Sequence, residues 1–273
     1  MKKTSELPWA SGPGEILRHG LSLLNRDTDT NRRLAMISID NAVELMIKTY
    51  LGLPKRITGL SIPRKEYNDI AESFPALLDG LEKHAPDKLD GIDLGTIEWY
   101  HRLRNELYHQ GNGLTVERDK VEIYAELANL MFKNLFGEGL VPHASPATEL
   151  LGEFMATWVS IERVMHRLAE VTYPDRREGQ RINIGPIPSF LARDKTIDKS
   201  LASEIDQLRQ IRNQIVHGVT DYKSILTVDL MKNMQSVLTS LEKKLSGLEE
   251  NEKQNDQLIT SACTRSPKNA GSG

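Results

Sequence analysis

Ile211-Arg212-Asn213-Gln214-Ile215-Val216-His217-Gly218 is the stretch from which the fold is read, because its pattern occurs earlier as Leu103-Arg104-Asn105-Glu106-Leu107-Tyr108-His109. Both read Arg-Asn-x-x-x-His. At this chain's residue frequencies, roughly 0.02 such matches are expected by chance, so two copies form a feature of the sequence. Each copy closes a stretch of helical apolar spacing that stops at glycine: Gly111 and Gly113 after the first, Gly218 after the second.

On a helix, Asn105 and His109 are four positions apart and share a face, as do Asn213 and His217. Relative to the mean direction of Ile97, Tyr100, Leu103 and Leu107, the first motif puts Arg at roughly 45°, Asn at roughly 145° and His at roughly 185°. Leu201, Ile205, Leu208, Ile211 and Ile215 give the second motif roughly 40°, 140° and 180°. In both, Asn and His face away from their own core while Arg lies on its flank. A polar trio pointing outward either meets solvent or awaits a second surface, and a chain with two such trios can supply that surface itself.

These segments resemble the active-site signature of the HEPN superfamily, all-helical domains in which Arg, a following polar residue and His form a metal-independent RNA-cleaving site. The resemblance covers roughly residues 14–137 and 146–248. It implies an endoribonuclease with Arg104, Asn105, His109, Arg212, Asn213 and His217 as catalytic residues, no metal and no cofactor. Arg would stabilise charge on phosphorus, His would transfer protons, and Asn would hold a ribose or the imidazole, yielding a 2′,3′-cyclic phosphate and a 5′-hydroxyl. In that family the site is composite, so the motifs are expected to pair within one chain as a pseudo-dimer or across a homodimer. A toxin or antiphage role, with an inhibitory partner, is what the family suggests. The alternative is a noncatalytic module of the same superfamily that binds nucleotides or partner proteins. Some such toxins carry a Tyr two residues after the motif His that a partner enzyme modifies; here Gly111 and Val219 stand there, so that regulation is not expected.

Working outward, apolar periods predict helices from Gly14 to about Asn25, from near Thr30 to Gly52, from Phe74 to His84, from near Gly95, and from Val116 to Phe136. Ser145 and Pro146 read as the start of a second half, whose long helix runs to Tyr173-Pro174, and a last helix spans about Thr227 to Leu248. The expectation is an all-α chain of two tandem antiparallel bundles related by duplication, 14–140 and 145–248, with a disordered tail over 249–273. Ala42–Lys48 lines up with Ser160–His166, which nominates Glu44 and Glu162 as supporting acids for the arginines, against the plainer reading of ordinary i,i+4 ion pairs. Two basic connectors, with Lys55, Arg56 and Arg64 in the first half and Arg176, Arg177 and Arg181 in the second, are candidate RNA contacts; a solvated loop is the bland alternative.

A net charge of −3 argues against a global nucleic-acid coat, leaving RNA contact to local patches. The single cysteine, Cys263, excludes an internal disulfide, and the histidines form no metal-ligand motif. With no apolar run long enough to span a membrane and no signal-like start, a cytoplasmic protein with no membrane association is expected.

Overall fold

The computed structural model describes residues 7–109, 115–137, 146–173, 185–217 and 219–263. The protein is all-α: among the described residues every regular element is helical. In chain order these are α1 (Ser11–Leu24), α2 (Asp29–Gly52), α3 (Lys55–Thr58), α4 (Arg64–Ile70), α5 (Phe74–His84), a 3₁₀ turn (Pro86–Lys88), α6 (Leu94–His109), α7 (Arg118–Phe136), α8 (Pro146–Thr172), α9 (Ile187–Arg193), α10 (Lys199–Val216), α11 (Tyr222–Ile225) and α12 (Val228–Cys263).

The chain forms two compact units. The first comprises Met1–Val159 and Arg209–Met231; the second comprises Ser160–Leu208 and Lys232–Gly273. The boundaries fall inside α8 and α10 and near the start of α12, so the segment expected as one domain over 145–248 is shared between them. Both motifs therefore belong to the first unit.

At the centre of that unit lies α2, which packs against α1, α5, α6 and α7. Its N-terminus is set by Thr28, whose hydroxyl accepts the Asn31 amide at 3.2 Å, with Asp29 in the first turn favouring the positive end of the helix dipole. Met36, Ile39, Val43, Met46 and Ile47 are wholly buried, and so is one charged residue, Asp40. Ser73 caps α5 through the Ala76 amide, and Gly137 ends α7 with φ +85° and its N–H on the Lys133 carbonyl. The turn into the motif helix needs Gly91: its φ is +70°, and a Cβ there would lie 2.3 Å from Val159 Cγ2. Asp93 then caps α6 by accepting the Thr96 amide at 2.6 Å.

In the second unit Ile187, Leu191 and Ile197 are buried, the Tyr173 hydroxyl donates to Asp194, and Arg167 pairs with Glu170 and Glu249. Two expectations change here. The connector after Gly52 holds the short helices α3 and α4, with Tyr67 folding back to donate to the Lys48 carbonyl at 3.1 Å. Of the tail expected to be disordered over 249–273, the part up to Cys263 continues α12, and 264–273 lie outside the described residues. Of the described helices, none is long and apolar enough to cross a membrane.

Candidate functional site

The first motif occupies the last turns of α6, which ends at His109. Ile97, Tyr100 and Leu107 bury one side, and Arg104 leans off the flank toward α2. Its Nε donates to Asp40 Oδ2 at 2.6 Å, its Nη1 to Asn105 Oδ1 at 2.9 Å and its Nη2 to Asn41 Oδ1 at 3.4 Å. Glu44 is a weaker partner of Arg104 at 3.7 Å and pairs more closely with Lys48 at 2.6 Å. The His109 side chain lies outside the described residues.

Asp40 is the residue that sequence reasoning missed. Besides Arg104, its carboxylate accepts the Tyr124 hydroxyl at 2.7 Å and meets His101 Nδ1 at 3.0 Å, with His101 stacked on Phe74. Burial raises this carboxyl, but the His101 hydrogen bond, the Arg104 and His101 charges and the Tyr124 hydroxyl outweigh it and hold Asp40 below the usual carboxylate range. Three donors on one carboxylate make its burial tolerable and fix the plane of the guanidinium. Its signal was present in the sequence: an acid on the apolar stripe of Met36, Val43 and Ile47.

The second motif closes α10. Arg212 is 5% exposed; its Nη1 donates to Asn213 Oδ1 at 3.2 Å and its Nη2 to the Gly91 carbonyl at 3.3 Å. The Arg-to-neighbouring-Asn hydrogen bond thus occurs in both motifs. His217 is the residue after the last helical one, keeps the helical bond to the Asn213 carbonyl, and is exposed. Glu162 lies part-buried on α8 in the second unit.

The two motif helices meet. Tyr100 of α6 donates to the Val216 carbonyl at the end of α10 at 2.9 Å, and the Trp99 ring stands perpendicular to His217 with centroids 6.3 Å apart. Tyr100 is stacked on Tyr124 at 4.5 Å, so the column from Asp40 through Tyr124 and Tyr100 to Val216 runs between the two arginines. Burial drives both phenols well above their ordinary pKa; Arg212 partly opposes this at Tyr100, and Asp40 adds to it at Tyr124. Both hydroxyls stay protonated donors. Beyond the motif, Tyr222 donates to buried Glu122 at 2.6 Å, and Lys223 reaches Asp119 and Glu122, which pins the chain after His217 to α7.

Lys55, Arg56 and Arg64 are exposed on α3 and α4, past the C-terminus of α2, where the twelve steps from Asp40 to Gly52 span roughly 18 Å of helix. Arg176, Arg177 and Arg181 lie outside the described residues. Among the described residues no group of three or more His, Cys, Asp or Glu side chains is gathered to hold a metal ion. Comparison with protein-family models, curated proteins and solved structures yields no match to this chain.

Proposed function

We propose that the chain is a metal-independent endoribonuclease of the HEPN type, in which Arg104 and Arg212 balance charge on a phosphodiester while His217 and His109 transfer protons. The observation that carries this reading is the meeting of two identical motifs in one unit: each Arg is hydrogen-bonded to its own Asn, and the end of α10 is hydrogen-bonded onto α6. That arrangement supports an intramolecular composite site. The chain's likeness in order of parts between its halves supports a tandem duplication, and the family's toxin or defence role comes with the same reading.

One observation favours the noncatalytic alternative. Arg212 is nearly buried and Arg104 is held by Asp40, so both arginines already serve the protein's own packing. The two readings separate on incubation with total RNA in EDTA. The nuclease reading expects cleavage products ending in 2′,3′-cyclic phosphate, lost in His217→Ala and in His109→Ala with folding unchanged. Intact RNA with the wild-type protein at high concentration leaves the binding module in its place.

A further inference from the structure

Trp99 stands against His217 of the second motif, and the nuclease reading leaves it without a role. It sits on α6, the helix of the first motif, is half-buried, and packs perpendicular to Tyr100 with ring centroids 4.8 Å apart. Tyr100 itself cannot shift readily, being stacked on Tyr124 and tied to the Val216 carbonyl, while Tyr124 is anchored on Asp40. The far side of this rigid column meets His217, whose ring lies at 87° to the indole at a centroid distance of 6.3 Å.

An exposed histidine one residue past a helix end has little of its own to restrict its side-chain torsions, and ordering it costs conformational entropy at the moment of reaction. A perpendicular aromatic neighbour at this range favours one orientation of the ring over the others. The indole comes from the other motif's helix, so the orientation of the second motif's imidazole depends on the placement of the first motif. We infer that Trp99 is a positioning residue for His217: it holds the imidazole in the orientation used for proton transfer and touches neither the phosphate nor the scissile bond. The inference rests on the nuclease reading.

The test uses the full chain and three readouts. In the wild-type protein, nuclear Overhauser contacts are expected between the Trp99 indole and the His217 ring; their absence overturns the inference with no variant needed. Trp99→Phe, which keeps an aromatic ring, should retain cleavage within about threefold, whereas Trp99→Leu should lower kcat about tenfold with KM nearly unchanged and move the His217 ring resonances to their solvent-exposed positions. Trp99→Leu cleaving at the wild-type rate, or losing activity through KM alone, overturns the inference while leaving the nuclease reading intact. A wild-type protein inert on RNA overturns the nuclease reading, and with it the part of Trp99 in the reaction, even where the Overhauser contact is seen.

Discussion

The two Arg-Asn-x-x-x-His segments share a sequence pattern and an internal hydrogen bond, yet their arginines rest on different supports. Arg104, with 16% of its side chain exposed, is braced by the buried carboxylate of Asp40. Arg212, more deeply buried, reaches the backbone carbonyl of Gly91. In the alignment that pairs Glu44 with Glu162, the position of Asp40 is occupied by Trp158, itself buried. The lesson is that motif spacing specifies a helix face and a reach, whereas the partner found there is set by another helix whose sequence can diverge. An arginine fixed by a carboxylate keeps its geometry but shares its charge; this predicts that the halves contribute unequally to any shared chemistry.

The largest effect expected from breaking the contrast is at Asp40. Asp40→Ala removes the acceptor for three donors and leaves the part-buried Arg104 with only the weaker Glu44 contact, which costs about 3–5 kcal/mol in urea unfolding. A loss no larger than that of a surface pair would mean the two arginine settings do not differ in substance. Next comes Tyr124→Phe, which withdraws one donor from the same carboxylate, for about 1.5–3 kcal/mol. Tyr100→Phe, cutting the bond between the two motif helices, should cost about 1–3 kcal/mol through the orphaned Val216 carbonyl, and should loosen amide exchange at the end of α10 more than in α2. Equal exchange in both helices would remove the argument that Tyr100 joins the motifs.

Titration sharpens the same comparison. The folded value of Asp40 lies below its ordinary 3.8, so its contribution is complete above that pH, where both states are ionised. Below it the unfolded chain takes up the proton first, and the stabilisation drains away as pH falls through the folded value. Acid unfolding followed by circular dichroism should therefore steepen below about pH 4 in the wild type and less so in Asp40→Asn. The phenols run the other way. Their folded values lie above the ordinary 10.0, so above pH 10 the unfolded chain releases protons that the folded one keeps, and stability falls as pH rises. Replacing Tyr100 or Tyr124 by Phe should flatten that alkaline limb. The smallest effect is expected from Asn105→Ala and Asn213→Ala, about 0.5–1.5 kcal/mol each, because both lose one hydrogen bond of the same kind. A large difference between them would show that the shared bond is not equivalent in the two motifs.

Much of this architecture can be read in the chain because the signals are local. Helices α2, α5, α6 and α7 follow from apolar period and caps, and their ends from glycine or from a break such as Pro54, within a residue or two. Helices α3 and α4 escape that reading since a turn or two is too short to establish a period. The motifs were legible as spacing, and the flank position of Arg as an angle. Asp40 carries no repeat signal, since Trp158 stands at its place in the second half, whereas Glu44 is matched by Glu162. The Tyr100–Tyr124 stack was beyond reach for a different reason: it joins residues on separate helices whose rotation about their axes depends on how both pack against α2 and each other.

The bond from Tyr100 to Val216 spans 116 residues, that from Arg212 to Gly91 spans 121, and that from Tyr222 to Glu122 spans 100. On the ribosome this makes the pairing of the motifs a late event. At roughly 5–20 residues per second, the first motif waits several seconds after its own synthesis before its partner emerges. A nascent or prematurely ended chain that stops short of Val216 carries one Arg-Asn-x-x-x-His segment without the other, so assembly of the pair reports that translation has passed both.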